Sequence, residues 1–424
     1  MRQRRSSVLG LCVAIVFSIA TPAALRAQGK DSGGNAEKDK APALSGKGKE
    51  DDEVARSRID PYTLGDAAVL QQAGHVGYAP LLWSKDTRTE DIDRVLGEGR
   101  VLWLETAHFR IGSNLRTVAI PEKQAQRKAI HDEVAALRKK LPKIPDKPKR
   151  LDPWLRLHLY AARVEKLYVE LEAMLQGGGA KFGTASQPPD GAFLGLPDKH
   201  LLLIFQKKSD LARYFDRFCG IQADRSMSFY LPNTHQMVFG VSVEGLETGA
   251  DPSLHSHVLY GVAGNLCNGL RGYGYRMPPW LGEGFAHFAS RQVETEFVNV
   301  SIKDDEAVNE EEQHLWPKKV RARAQYDRTR VPFAQMTLWQ KSQDMGYHGE
   351  LQAWSRVDFL HKHDKDKLGA LLLKMKSLPI SYEGVKPEDW AAMQTTAVQE
   401  IFGWDAETFD AKWREFVLET YPKK

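Results

Sequence analysis

The residues best suited to chemistry lie between Asp251 and Arg291, in the run DPSLHSHVLYGVAGNLCNGLRGYGYRMPPWLGEGFAHFASR. His257 stands on a segment that begins with Asp251 and Pro252, residue types that open a helix as N-cap and first-turn proline. Glu283 and His287 stand on a second segment that starts after Pro278 and Pro279. They are four residues apart and therefore share one helical face. A carboxylate and two imidazoles can pass a proton or hold a cation. The Gly-rich stretch from Asn268 to Gly274 joins the two segments and could bring the Glu283–His287 face to His257. His255 is two positions from His257 and points to a different side of a regular helix, so the pair cannot share one ligand.

These segments need a frame. Val101 to Ile111 (VLWLETAHFRI) is rich in β-branched and aromatic residues with partial alternation and predicts a strand. Two helices are expected next, over Glu122 to Leu141 and over Pro153 to Leu175. The second carries the apolar stripe Leu157, Tyr160, Ala161, Val164, Leu167, Tyr168 and Leu171 and stops before Gly177. Leu201 to Phe205 reads as a buried strand and Ser209 to Cys219 as a helix with a Ser N-cap. Met227 to Leu231 with Gln236 to Val243 reads as a hairpin. From Asp251 onward the pattern is nearly all helical, ending in Asp405 to Tyr421 with an Asp N-cap and the stripe Phe409, Trp413, Phe416. The expected fold class is α+β, a small mixed sheet with packed helices followed by a mostly helical C-terminal part.

The ends of the chain and its charge narrow the setting. Arg2, Arg4 and Arg5 precede an apolar run from Val8 to Ala20, and small residues follow up to Ala27, the pattern of an export signal over 1–27. Cys12 is preceded by Leu11, where lipid attachment needs a small residue, so no lipoprotein is expected. Residues 28–58 are Gly-, Lys- and acid-rich and predict a disordered linker. The expected divisions are then 59–250, with the sheet and long helices, and 251–424, with the His257 and Glu283 helices. The formal charge of +4 over 424 residues falls to zero once Arg2, Arg4, Arg5 and Arg26 leave with the signal. A basic surface for nucleic acid is therefore not expected, nor is an integral membrane span after signal removal. Cys219 and Cys267 remain and could pair or stay as thiols.

The block PPWLGEGFAHF is similar to the helix that supplies a glutamate ligand to zinc in gluzincin-clan metallopeptidases, and the order of strand, helix and hairpin before it resembles the peptidase MA-like branch. The likeness extends more loosely from Val101 through the C-terminal helices, including Tyr347 to Leu360 (YHGELQAWSRVDFL). It implies a gluzincin-like fold, with Glu283 at the zinc and Tyr347 where a transition-state donor would stand. Such enzymes carry His-Glu-x-x-His on the preceding helix, two ligands on one face and a general base beside them. This chain departs from that motif. With His257 as first ligand, the base position is Val258 and the second ligand position Gly261. With His257 as second ligand, the first is Ser253 and the base Leu254. Both registers lose the base, worth about 10²- to 10⁴-fold in rate, together with one imidazole.

The leading expectation is an exported, non-catalytic binding or scaffolding protein of the cell envelope, secreted or periplasmic, with a degenerate zinc site and a peptide or protein ligand in the old substrate cleft. The alternative is an active zinc metallopeptidase using His257, Glu283 and His287, with Glu283 and Tyr347 as catalytic candidates. A third reading is a structural periplasmic protein with no ligand. Each residue also has a plain structural reading. His257 could be a hydrogen-bonded core residue, Tyr347 could pack on Trp354, and His361 and His363 could belong to a solvated helix end.

Overall fold

The largest sheet is built from β1 (His75–Tyr78), β2 (Leu102–Thr106), β3 (Phe109–Ser113), β4 (His200–Phe205), β5 (Met227–Leu231) and β6 (Gln236–Ser242), in spatial order β1-β2-β3-β4-β6-β5. Strands β1, β2 and β3 are antiparallel, β3, β4 and β6 run parallel, and β5 returns antiparallel at the edge. This computed structural model describes residues 59–246, 248–273, 277–296, 299, 315–378 and 385–423. The expected export signal and linker, and Gly274 of the Gly-rich loop, lie outside them.

Side-chain alternation divides the sheet into two apolar faces. Ile111, Leu202 and Phe239 are in register across its centre and belong to the larger core. Trp103, Leu201, Leu203 and Val238 face the other way into a smaller one. The longer helices are α1 (Gln124–Arg138), α2 (Pro153–Gly177), α3 (Lys208–Cys219), α4 (Asp251–Gly269), α5 (Pro279–Arg291), α6 (Trp316–Gln325), α7 (Gly346–His363), α8 (Lys365–Met375), α9 (Pro387–Phe402) and α10 (Ala406–Thr420). Helix α3 packs Leu211, Tyr214 and Phe215 into the smaller core. The larger core runs without a break from Tyr62 to Tyr421 and takes in residues from both 59–250 and 251–424. The chain is thus α+β, with a mostly helical C-terminal part.

Local chemistry accounts for most boundaries. Asp152 caps α2 by accepting from the Trp154 and Leu155 amides at 3.0 and 3.1 Å, Pro153 fills the first turn, and every residue of the predicted apolar stripe is buried. Asp405 caps α10 in the same way through the Thr408 amide. Three expectations are corrected. The single strand over Val101 to Ile111 is two, because the chain turns at Ala107 and His108; Thr106 Oγ1 accepts from the Phe109 amide at 3.1 Å and donates to its carbonyl at 3.2 Å. Ser209 lies inside α3, whose N-cap is Lys207. Ala250, not Asp251, caps α4; the Asp251 carboxylate is drawn away by Tyr160 Oη at 3.0 Å and Arg163 Nη2 at 2.8 Å.

Cys219 and Cys267 are free thiols that pack on opposite faces of the sheet. Among the described residues, no helix is long and apolar enough to cross a membrane.

Helices α2 and α8 meet backbone to backbone. A Cβ on Gly369 would lie 2.1 Å from the Met174 carbonyl oxygen, and one on Gly178 would lie 2.3 Å from the Ala370 nitrogen. Neither neighbour is a flexible side chain, so the helices themselves would have to separate. Gly369→Ala is expected to cost about 1–3 kcal/mol, read as a lower urea midpoint; an unchanged midpoint would show that this contact does not hold the two helices.

Candidate functional site

Helix α4 sits against β6 so closely that a Cβ on Gly261 would lie 2.1 Å from the Phe239 ring. That contact sets the helix rotation and turns His257 inward. Its Nδ1 lies 2.7 Å from Asn299 Oδ1, and since a carbonyl oxygen only accepts, Nδ1 carries the proton; Nε2 then accepts from Ser226 Oγ at 2.8 Å. Both ring nitrogens are engaged by neutral partners. Burial pushes the imidazole down to about 4, with the Asn299 bond opposing.

Glu283 is buried one layer away. Tyr260 Oη donates to its Oε2 and Ser342 Oγ donates to Oε1 at 2.6 Å. Burial first, and then the neighbouring Glu350 carboxylate, hold Glu283 above the usual carboxylate range, while Ser342, Tyr260 and His287 pull the other way. His287 does share the Glu283 face, as the spacing required. Its Nε2 lies 3.4 Å from Glu350 Oε2, and its ring packs 4.9 Å from both Tyr260 and Trp316. Burial pushes it down to about 3. His257 therefore bonds one set of partners and Glu283 another, with the His287 ring packed between Tyr260 and Trp316. Among the described residues, no three His, Cys, Asp or Glu side chains are arranged to hold a metal ion.

The positions that the peptidase motif would use are occupied differently. Val258 and Leu254 are fully buried aliphatic side chains, Ser253 is buried, and the space where a side chain at Gly261 would begin is filled by Phe239. Tyr347 meets Trp316 edge-on at 6.3 Å, and its Oη accepts from Lys319 Nζ at 3.4 Å. Trp354, its expected partner, stacks instead on Tyr421 at 5.6 Å.

The opposite faces of α4 and α5 are open. His255 and Leu259 from α4, with Phe285, Phe288 and Ala289 from α5, line a cleft of about 1250 Å³ whose other walls are α1 and α2. On one wall Arg163 Nη2 joins Glu133, at 2.6 Å, to Asp251, and His255 Nδ1 lies 3.8 Å from Glu133. Despite burial, Arg163 holds Asp251 down to about 2. At one end stand His75 and His108, the latter 2.7 Å from Glu165 Oε2; at the other stands half-buried His361, against Phe288 at 4.7 Å. His363 is exposed at its helix end, as expected. Sequence reading missed this cleft because its histidines are spread from 75 to 361 and no spacing rule connects them. The one available signal was that His255 must face away from His257.

Comparison of the chain with protein-family models, with curated proteins and with solved structures finds no match.

Among the buried imidazoles held low are four, His75, His200 and His287 at about 3 and His257 at about 4, each chiefly by burial, and His255 is lowered in the same way. Above their ordinary value of 6.5 they are neutral in folded and unfolded chains alike. Below it the unfolded chain takes up protons that the folded chain refuses. Stability should therefore fall between pH 6.5 and about 4, by about 1.4 kcal/mol per pH unit for each histidine at full difference. Glu283, raised in the fold, offsets part of this by taking its own proton early. The urea midpoint is expected to drop clearly from pH 7 to pH 5; a flat profile would contradict the arrangement of these four groups.

Proposed function

We propose that this chain is an exported binding protein of the cell envelope, built on a peptidase-like frame whose metal positions are filled, and that it holds a peptide segment in the cleft. One observation carries the reading: His257 and Glu283 of the peptidase-like motif are buried and hydrogen-bonded to separate partners, while the other face of the same two helices lines an open cleft. The contents of the two faces support binding over hydrolysis. On the inner side, Val258 and Leu254 can take no proton, and an imidazole at 261 would have to displace Phe239. On the cleft side, the lining residues among those described include no Ser, Thr or Cys nucleophile.

The cleft walls suit a peptide. Exposed Val169 and Val293 and the Phe285–Phe288 pair offer apolar contact, and Asp132, Lys166, Glu170 and Lys365 place charges of both signs beside it. Such a surface matches mixed side chains on a polar backbone better than it matches a bare hydrocarbon. The export pattern over 1–27 supports a role in the envelope.

The test uses immobilised mature protein and tryptic casein peptides. Peptides bearing Leu or Phe should be retained, and Val169→Glu with Val293→Glu, both at exposed positions, should lower retention about tenfold. The same casein should stay uncut with or without added zinc. Zinc-dependent cleavage that disappears in Glu283→Ala would overturn the reading.

A further inference from the structure

At the β1 end of the cleft three side chains form a buried chain of hydrogen bonds. Asp60 Oδ2 lies 3.0 Å from His158 Nε2, and His158 Nδ1 lies 2.9 Å from His75 Nε2, with the two rings stacked. His75 lines the cleft end and is 6% exposed. Its last nitrogen, Nδ1, is buried with no hydrogen-bond partner. A buried polar atom without a partner is costly, and because His75 lines the cleft, its Nδ1 is one that a ligand atom could satisfy.

The charges facing His75 are those of Asp60, His158, Lys140 and Glu165. Two are already matched. Asp60 also accepts from Thr63 Oγ1 at 2.8 Å and the Tyr62 amide at 2.9 Å, and Glu165 takes the His108 amide and ring at 2.8 and 2.7 Å. Lys140, exposed on the cleft rim, has no ion-pair partner among the described residues. The unmatched charge at this end is positive.

The polarity of His75 Nδ1 follows from the relay. Asp60 stays ionised, because hydrogen bonds led by that from His158 outweigh the effect of burial; it can only accept, so His158 Nε2 donates. With His158 neutral, its Nδ1 accepts from His75 Nε2–H, and His75 Nδ1 is a bare acceptor. When one proton from solvent binds His158 Nδ1, that nitrogen donates to His75 Nε2. The proton on Nε2 leaves and one is bound at Nδ1, so His75 stays neutral overall and now presents an N–H to the cleft. The net change is one proton gained by the relay.

We propose that this end of the cleft is a subsite for a ligand carboxylate, the free C-terminus of the bound peptide, held between Lys140 and His75 Nδ1–H with uptake of one proton through His158. The inference rests on the peptide-binding reading of the cleft and names the group that sets the ligand's direction in it. A carboxylate needs donors and a positive charge; Lys140 supplies the charge in either state, but His75 Nδ1 becomes a donor only in the protonated relay. Binding and proton uptake are therefore linked, and the dissociation constant rises with pH.

The experiment is calorimetry on the mature protein in two buffers of different ionisation enthalpy. The probes are an N-acetylated Leu-rich hexapeptide as free acid, the same peptide as C-terminal amide, and hexanoate. Both free acids should bind with uptake of close to one proton and weaken by up to about tenfold per pH unit as pH rises, and the amide should bind at least about tenfold more weakly. Lys140→Met should weaken the free acids by a similar factor, and His158→Gln should abolish the proton uptake. Free acid and amide binding alike, or free-acid binding without proton uptake, would overturn the subsite and leave the cleft reading standing. Hexanoate binding with proton uptake, but neither peptide form bound, would overturn the cleft reading and leave the carboxylate subsite. No saturable binding of any probe at millimolar concentration would remove both.

Discussion

The contact between Gly261 of α4 and the Phe239 ring of β6 governs the arrangement of the polar side chains that α4 carries. With no side chain at 261, the helix axis comes close enough for the ring to lie against its backbone. Close packing then fixes the rotation of α4 about its own axis. Residues two apart are turned by roughly 200°, so once His257 faces Ser226 and Asn299, His255 must look toward the cleft, and Tyr260 comes round to Glu283. One aromatic ring thus allocates two histidines and a tyrosine to three different environments.

The buried polar groups fall into two kinds. On the inner side His257 is matched with neutral donors and acceptors and Glu283 with two hydroxyls, while the His287 ring packs between Tyr260 and Trp316. Such an arrangement fixes side-chain positions, and Glu283, His257 and His287 are held toward their neutral forms chiefly by loss of water. Along the cleft the pairing reaches across elements. Arg163 ties α1 to α2 and α4 through Glu133 and Asp251, giving one wall a rigid charged base. The relay at the β1 end differs from both kinds, because its unpartnered nitrogen belongs to a residue that lines the open cleft. An unpartnered buried atom beside an open cleft is a sign of binding; matched pairs sealed inside the core hold structure.

Much of the frame was legible in the residues. Asp152 with Pro153 and Asp405 announce their helices because capping is decided within three residues, and the α2 stripe is buried as the 3.6-residue period requires. The β5–β6 hairpin follows from two short apolar runs separated by turn residues. The turn at Ala107–His108 was hidden because neither residue is a turn former and the Thr106–Phe109 clamp is a hydrogen-bond choice. Asp251 misled for a related reason: a carboxylate near a helix start can cap it, but a buried guanidinium at 2.8 Å competes and prevails.

By itself the sequence determined the α+β order of elements, the long buried helices, the shared face of Glu283 and His287, and the lack of a carboxylate beside His257, since these depend on residue type and local period. Only the tertiary structure decided that His257 is enclosed by Ser226 and Asn299, that Phe239 takes the place of a side chain at 261, and that His75, His108, His255 and His361 line one cleft. The physical reason is range. Capping and amphipathic period act within a few residues, whereas helix rotation and a shared cleft are set by packing among side chains tens to hundreds of positions apart, which no spacing along the chain records.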